Sequence, residues 1–428
     1  MPQRVPSDPS QPCPLARAPQ GPLASAPAKH PARVVAEDEL SAKVPLPLER
    51  SERLLVERDL PRLAALRRAN HPTSDRASNE QPPPDEIDVL PAEREQLALP
   101  QAGEIDRAVD ALRGTRYSRG GSELARLLHD ESGMTLVIDD QKPDVVRIVV
   151  ANLPVDNRDF ETAARRTPRI TMRRLRALDD VLREARRATK EAQRRGIPTL
   201  LLLPELAIPR RLERSLVNHA TKEEISLVAG LEYRHAIGGV KNEAIGIFPL
   251  GFQKAIPVTW TKRNPARTEQ SALAKLGAGF AAPSATQRLV VRSSHGRIGV
   301  LICSEILESA ALASLTGRIE VLLVPAWNPD TGTFEHVTHA AASMLVHCFV
   351  AVANNAEASD SRIVSPVAAP RHLREWARII HRGQSRVIWG DLPVGTLRAV
   401  HEGTAPAGPA NQKQKAMTYR PLPPGWRQ

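Results

Sequence analysis

Three side chains with complementary chemistry follow apolar segments of this 428-residue sequence. Glu205 lies in the segment LLLLPEL, Lys262 lies in FQKAIPVTWTKRNP, and Cys303 lies in RIGVLICSEI. Each apolar segment predicts a buried strand, and at the end of such a strand a polar group can reach a cleft without being stranded in the core. The three residues are therefore candidates for one shared site.

A thiol, a carboxylate and an ammonium are sufficient for nucleophilic catalysis. Because a free cysteine has a pKa of about 8.5, its thiol is mostly protonated at neutral pH and needs a base. Glu205 is the candidate base, since a partly apolar pocket raises the pKa of a carboxyl group. Lys262 would stabilise the negative charge that forms when Cys303 attacks an amide carbonyl or a nitrile. This chemistry requires no metal and no cofactor.

Each of the three residues also has a simpler interpretation. Cysteines are among the most buried residues, so Cys303 alone would more often be part of the core. Glu205 could cap a following helix, and Lys262 could be a surface residue in a basic loop. Only the combination favours catalysis.

Apolar strands alternate with helical segments from about residue 143 onward. Strands are predicted at 143–155, 199–206, 225–234, 242–251, 288–294, 297–306, 320–328 and 349–357. Helices are predicted at 160–195, 210–224, 309–317 and 335–348. Such alternation is typical of an α/β fold, in which helices cover the sheet.

The chain before residue 143 has a different composition. Residues 1–32 are rich in Pro and Ala, and 71–86 reads HPTSDRASNEQPPPDE, so both are predicted to be disordered or linker-like. Helices are expected within 36–69 and 103–130, and no strand-rich core is expected before about residue 143. We therefore predict three parts: a disordered or helical N-terminal extension (1–140), an α/β domain (141–405) and a C-terminal tail (406–428).

The formal net charge of +11 and the pI of about 10.0 permit contact with nucleic acid but do not establish it. Much of the excess is arginine in the predicted helix at 160–195, which we interpret as a solvated helix face. The arginines concerned are Arg165, Arg166, Arg169, Arg173, Arg174 and Arg176.

The cysteines are few and odd in number: Cys13, Cys303 and Cys348. This small odd number argues against a disulfide framework and for a reducing compartment. The sequence contains no CxxC pair, so it gives no indication of a zinc-ribbon site. The N-terminus lacks the apolar core of a signal peptide, and no apolar run approaches the length of about 18 residues that a spanning helix needs. We predict a cytoplasmic protein with no membrane contact.

The order and flanks of the three candidates resemble the nitrilase (carbon–nitrogen hydrolase) superfamily. In that family a Glu in a PE context precedes a Lys, and then a Cys in a pattern like G-x-x-I-C-x-[DE]. Here the segments read LLLLPEL, WTKRNP and GRIGVLICSE, and the resemblance covers roughly 143–400. It implies a four-layer α-β-β-α sandwich, a homo-oligomer, and hydrolysis of non-peptide C–N bonds through a thioester, with an amide preferred to a nitrile as the small-molecule substrate.

The resemblance extends to further residues. Glu269 stands where the family often has a second glutamate, and the backbone N–H of Ser304 would help to bind an oxyanion. Trp327 and Asn328, at a strand end, are candidates for the substrate pocket, although Trp327 could equally be a packing residue. Two departures are that Ser304 replaces a frequent aromatic residue and that the lysine segment lacks the usual Lys-x-His/Lys-Leu sequence.

The pieces CSE, PAWN, NN and DSRI resemble a narrower branch: nitrilase domains that accompany a reverse transcriptase in bacterial antiviral defence systems. This resemblance raises an alternative function, an interaction or effector module that binds a protein or nucleic-acid partner. The basic charge favours the alternative, whereas an intact triad favours the enzyme.

Three histidines, His336, His339 and His347, fall on one predicted helix. Neighbours three residues apart could form a metal pair, but no further ligand stands out nearby. We therefore predict no metal site, and we place Cys348 in the core.

Overall fold

The computed structural model describes residues 86–87, 125–130, 133–166, 170–251, 254–283, 288–404, 419 and 422. Most of the predicted extension and the predicted tail lie outside the described residues. The strands are β1 (Glu86–Ile87), β2 (Arg126–Asp130), β3 (Gly133–Val137), β4 (Val146–Asn152), β5 (Ile170–Thr171), β6 (Thr199–Leu202), β7 (Ser226–Ala236), β8 (Gly239–Gly251), β9 (Lys254–Thr261), β10 (Leu289–Ser293), β11 (Gly296–Val300), β12 (Val321–Pro325), β13 (Phe349–Ala353), β14 (Ser361–Val364), β15 (Glu375–Ile379) and β16 (Arg386–Leu392).

The helices connect these strands. They are α1 (Asn157–Ala164), α2 (Met172–Gln193), α3 (Glu213–Lys222), α4 (Arg267–Lys275), α5 (Ser309–Ala313), α6 (Thr331–Ala340), α7 (Arg371–Arg374) and α8 (Val394–His401). Shorter turns are the 3₁₀ segments Arg210–Leu212 and Cys303–Leu307 and the π segment Ala341–Leu345. No described helix has the length and apolarity that crossing a bilayer requires.

Two mixed sheets contain nearly all of the strands. The six-stranded sheet has the order β16-β4-β6-β7-β8-β9, and its inner strands β4, β6 and β7 are parallel. The eight-stranded sheet has the order β15-β14-β13-β12-β11-β10-β3-β2, and its strands β11, β12 and β13 are parallel. Parallel strands bring their carboxyl ends to one edge, where loops can carry functional side chains.

Strand β4 shows why the sheets must be covered on both faces. All seven of its residues are buried, and successive side chains point to opposite faces of a strand. Ile148 and Val150 belong to the apolar cluster that includes the eight-stranded sheet. Val149 and Ala151 belong to a second cluster, together with the helices α1, α2 and α3. One face of β4 therefore meets the other sheet and the opposite face meets helices.

Helices form the two outer layers. On α2 the buried residues Val181, Ala185, Ala188 and Ala192 recur at helical spacing and face the six-stranded sheet. The segments after Cys303, including α5 and α6, join the cluster of the eight-stranded sheet and cover its outer face. The predicted α-β-β-α order is confirmed.

Three expectations about elements were wrong. Strands β2 and β3 precede residue 143 and belong to the eight-stranded sheet, so part of the predicted helical stretch is sheet. The helix predicted at 160–195 is two helices, because Arg166 turns the chain at φ 64° and Thr171 caps α2 by accepting from the Arg174 N–H. The helix predicted at 335–348 is present but has other bounds, since it begins at Thr331 and its final π turn ends at Leu345, so that His347 lies beyond it.

Candidate active site

Glu205 lies just beyond β6, where the chain turns and then runs beside β7. Leu206 follows it with φ 56°, a left-handed conformation that is unusual for leucine. Gly230 on β7 permits the close approach, since a Cβ there would lie 2.4 Å from the Pro204 carbonyl oxygen and 2.5 Å from the Glu205 Cα. The Gly230 N–H also donates to that carbonyl at 3.0 Å. The backbone of Glu205 is thereby fixed against the sheet.

Lys262 follows β9 and is only 1% exposed. Its backbone N–H donates to the Asn242 carbonyl at 2.8 Å, which continues the pairing of β8 with β9. Its Nζ donates to Glu205 Oε1 at 2.9 Å and to Glu269 Oε2 at 2.6 Å. One buried ammonium is therefore shared between two carboxylates, and both belong to residues that the sequence analysis names as candidates.

Asn242 on β8 bridges the same two carboxylates. Its Nδ2 donates to Glu205 Oε1 at 2.7 Å and to Glu269 Oε1 at 2.9 Å, and the Tyr233 hydroxyl donates to the same Glu269 oxygen at 2.7 Å. We refer to Glu205, Asn242, Lys262 and Glu269 as the carboxylate ring. Sequence reasoning missed Asn242 and Tyr233, whose only signal was a polar side chain inside an apolar strand segment.

Cys303 begins a 3₁₀ turn three residues beyond the end of β11 at Val300, with φ 51° and 6% exposure. Glu305 fixes this turn, because its Oε2 accepts from the Ile302 N–H at 2.8 Å. The other oxygen of Glu305 accepts from the backbone N–H of Arg263 at 3.1 Å. Glu305 thus ties the turn that carries the thiol to the loop that carries the lysine.

The thiol of Cys303 contacts the Glu205 carboxylate and the backbone N–H of Trp327. The same Trp327 N–H donates to Glu205 Oε2 at 3.1 Å. The Trp327 ring lies on Phe160, with ring centroids 5.4 Å apart. Trp327 therefore packs through its ring and holds the carboxylate through its backbone.

The remaining predicted pocket residues lie on the adjoining turns. The Asn328 N–H donates to Asn354 Oδ1 at 2.8 Å, and Asn354 Nδ2 donates back to the Asn328 carbonyl at 2.9 Å. These bonds join the loop after β12 to the loop after β13. The Ser304 Oγ is shielded from solvent and has no hydrogen-bond partner among the residues that the structure describes. The substrate-binding roles of Asn328 and Ser304 remain predictions.

Burial and neighbouring charges shift the pKa values of the titratable groups in different directions. Burial raises the pKa of Cys303, and the nearby Glu205 carboxylate raises it further. Burial also raises the pKa of Glu205, although Lys262 opposes the shift. Burial acts against the Glu269 anion too, but Lys262 and the other donors around it lower its pKa. The anionic neighbours of Lys262 outweigh its burial and raise its pKa. Glu205 is therefore the group best placed to exchange a proton with the thiol.

Within the described part of the chain, one group has the composition of a metal site: Glu335, His339 and Glu375, with ligand atoms within 4.8 Å of one another. Both carboxylates already face guanidinium groups, since Arg378 lies 3.1 Å from Glu335 and 3.3 Å from Glu375. A metal ion would have to compete with these cations.

The two carboxylates belong to a larger set of ion pairs, which we refer to as the arginine network: Glu335, Asp360, Arg362, Arg371, Glu375 and Arg378. Of the other two predicted histidines, His336 is exposed and His347 contacts His401.

The predicted solvated arginine face requires one correction. Arg174 is 3% exposed and belongs to the interior, because it bonds to the loop of Glu205. Arg169 lies outside the described residues. The exposed members are Arg165, Arg166, Arg173 and Arg176.

No known family profile matches the sequence, and no curated protein matches it. Solved structures do align with the fold. An amidase of the nitrilase superfamily from Nesterenkonia AN1 has 17% identity and a TM-score of 0.41 over 59% of this chain and 93% of its own. Another structure of that amidase, with the acetamide moiety of fluoroacetamide added at the active-site cysteine, has 15% identity and a TM-score of 0.43 over 60% and 94%.

Nit3 from Saccharomyces cerevisiae, a member of branch 10 of the nitrilase superfamily, has 15% identity and a TM-score of 0.42. The alignment covers 63% of this chain and 97% of Nit3. Likenesses of this size do not decide what a chain does, so its chemistry has to be judged from the residues of its own site.

Proposed function

We propose that this chain is a carbon–nitrogen hydrolase of the nitrilase type, with Glu205, Lys262 and Cys303 as its catalytic residues. One observation carries the proposal: a thiol, a carboxylate and an ammonium from three separate strand ends meet in a buried cluster. Amides are preferred to nitriles as substrates, because amide hydrolysis is the commoner activity in the superfamily that the sequence resembles.

In the first half of the reaction, Cys303 Sγ attacks the amide carbonyl carbon while the thiol proton passes to Glu205. The electron pair of the C=O bond moves to oxygen, where the Lys262 ammonium and the Ser304 N–H stabilise the charge. The C–N bond then breaks, and the departing amine takes the proton from Glu205. A thioester on Cys303 and a free amine result.

In the second half, a water molecule attacks the thioester carbonyl and gives a proton to Glu205. The Sγ–C bond breaks, the carboxylic acid leaves, and the proton returns to the thiolate of Cys303. The same carboxyl group serves as base and acid in turn. A raised pKa suits this double use, because the group must both accept and release a proton near neutral pH.

The other predicted pocket residues have supporting roles in this proposal. Glu269 keeps Lys262 oriented and charged, which its short contact with Nζ supports. Trp327 holds the second oxygen of Glu205 through its backbone N–H. Asn328 and Ser304 border the nucleophile and contact the acyl group of the substrate.

The test is mass spectrometry of the full chain during incubation with a panel of small amides, combined with an assay for released ammonia. We expect an acyl adduct on Cys303 and steady ammonia release. Cys303→Ala should lose both while it stays folded. Cys348→Ala is the matched control, because Cys348 is a buried free thiol in the core whose polar neighbours are the Leu322 backbone and Glu320, which lie outside the carboxylate ring. Turnover that survives in Cys303→Ala would overturn the proposal.

Several sequence predictions stay predictions: the part boundaries at 140 and 405, the homo-oligomer, the cytoplasmic location and the partnership with an antiviral defence system. The alternative function, an interaction or effector module, would be favoured if Cys303→Ala kept the biological activity of the chain.

A further inference from the structure

A buried arginine lies behind the loop that carries Glu205. Arg174, in the first turn of α2, is 3% exposed. Its Nη2 donates to the Leu206 carbonyl, and its Nε donates to the Ala207 carbonyl at 3.2 Å. These are the two backbone carbonyls that directly follow Glu205. A single side chain from the helix layer thus binds the loop of the proposed base at two points.

The guanidinium is itself held by acidic groups. Its Nη1 donates to Glu232 Oε1 at 2.6 Å and lies 3.7 Å from Asp159 Oδ1. The second oxygen of Glu232 accepts from the Arg210 N–H at 3.2 Å. The backbone N–H of Glu232 donates to the Ile208 carbonyl at 2.9 Å. Arg174 therefore links the helix layer, β7 and the Glu205 loop through charged hydrogen bonds, which have well-defined geometry.

The backbone conformation of Leu206 explains why the hydrogen bonds from Arg174 matter for Glu205. Leu206 is left-handed at φ 56°, which leucine adopts only when its surroundings enforce it. Buried backbone carbonyls also require donors, and Arg174 supplies them to Leu206 and Ala207. If the guanidinium were removed, Leu206 would relax toward ordinary dihedral angles. Because Leu206 adjoins Glu205, such a change would turn the carboxyl group away from the thiol.

We propose that Arg174 is a positioning residue that sets the orientation of the Glu205 carboxyl group toward Cys303. This inference rests on the proposed hydrolase function and adds a residue outside the carboxylate ring. Arg174 would act on Glu205 through the position of the backbone, since it contacts the two residues that follow Glu205 and not the Glu205 carboxyl group. A displacement of about 1 Å at a reacting group can reduce a rate about 100-fold.

The test measures how fast iodoacetamide alkylates Cys303 in the full chain as a function of pH. In this reaction the Sγ–C bond forms, iodide leaves, and Glu205 takes the thiol proton. We expect Arg174→Met to lower the alkylation rate and kcat by at least about tenfold, with KM changed by less than about threefold. The acid limb of the pH profile should also move. Arg174→Lys should recover part of the rate, because an ammonium keeps the charge but lacks the spread donors of a guanidinium.

Arg147→Met is the matched control. Arg147 is also buried, at 2% exposure, and bonds to a carboxylate, Asp391, and to a backbone carbonyl, that of Ala188. It does not contact the Glu205 loop, so its loss should destabilise the fold while folded molecules keep the wild-type alkylation rate and pH profile. A folded Arg174→Met that behaves like Arg147→Met would overturn the proposal.

Should Arg174→Met fail to fold, Glu232→Gln decides the question, because it weakens the hold on the guanidinium without removing it. We expect a smaller loss of rate and a shift of the acid limb in the same direction, whereas an unchanged profile would overturn the positioning role. Wild-type protein in which Cys303 is not labelled selectively would instead overturn the hydrolase proposal, and this inference with it.

Discussion

The carboxylate ring is a buried ionic cluster and the arginine network is a partly exposed one, and the two balance charge differently. In the ring, Lys262 is one cation for two carboxylates, and Asn242 adds only a neutral donor. In the network, three carboxylates face three guanidinium groups. The ring therefore has a carboxylate without a full counter-charge, and the network does not.

This difference appears in the pKa values. Burial raises the pKa of Glu205, whereas hydrogen bonding with His339, together with Arg378 and Arg362, lowers the pKa of Glu375. A carboxyl group with a raised pKa can take up and release a proton near neutral pH, but one saturated by guanidinium groups stays ionised. A shortage of cations, rather than the presence of ionic groups, distinguishes the candidate site from a structural cluster.

The largest effect is expected from Glu205→Gln, which removes the base and keeps the shape of the side chain. The kcat for amide hydrolysis should fall by about a thousandfold, because general acid–base catalysis contributes about 10²- to 10⁴-fold. Steady-state kinetics on the best amide substrate measure it. Glu243→Gln is the control, since Glu243 is a carboxylate at 1% exposure in the same sheet but pairs with Arg210 and Arg234. Equal losses of kcat in the two variants would mean that Glu205 differs from a structural carboxylate in no way that affects catalysis.

The pH dependence of kcat/KM tests whether the pKa of Glu205 is raised, in contrast to the lowered pKa of Glu375 in the arginine network. Glu205 must be ionised to accept the thiol proton, so activity should fall as the pH falls through its pKa. Because burial raises that pKa, the acid limb should lie above the ordinary glutamate value of 4.5. Below the limb the rate should drop about tenfold per pH unit. A limb at or below the value of an exposed glutamate would contradict the raised pKa.

A substitution next to the Glu205 loop should displace a carboxylate of the ring without removing any charged group. In Gly230→Ala the new Cβ would lie 2.4 Å from the Pro204 carbonyl oxygen, so the Glu205 loop must shift. We expect a loss of about 1–3 kcal/mol in the free energy of unfolding, as for other overpacked sites, and a lower kcat. Denaturant unfolding and kinetics measure both. Gly332→Ala is the control, since a Cβ there meets only Asp330 Oδ1 at 3.9 Å.

The smallest effect is expected in the arginine network. Glu335→Gln removes the charged partner of the partly exposed Arg371 and one partner each of Arg362 and Arg378, which both keep Asp360 and Glu375. The free energy of unfolding should fall by about 1 kcal/mol or less, and the loss should shrink at high salt. Amide hydrolysis should be unchanged. A large loss of kcat in this variant would mean that the network takes part in the reaction.

Most strands and helices of the α/β domain could be predicted from the sequence, because hydrophobic patterns are local. Runs such as LLLLPEL and EVLLVPAWN predict buried strands, and their alternation with helices predicts a sheet that helices cover on at least one face. The second sheet on the other face was expected only from the family resemblance of the sequence. The strands β2 and β3 escaped prediction, since RLLHD and GMTLV are short segments whose place in the sheet depends on pairing with a distant part of the chain. The break in the helix at 160–195 depends on single residues, Arg166 and Thr171, whose dihedral angles and caps do not alter the helical pattern.

For the site, the sequence named Glu205, Lys262 and Cys303 as candidates because each follows a recognisable apolar segment, and it named Glu269 only through the family resemblance. Only the tertiary structure decided that Asn242 bridges the two carboxylates and that Arg174 is interior rather than solvated. Hydrogen bonds between groups far apart in the chain leave no periodic signal. A polar residue that acts through such a bond can be recognised only when the fold brings its partner within reach.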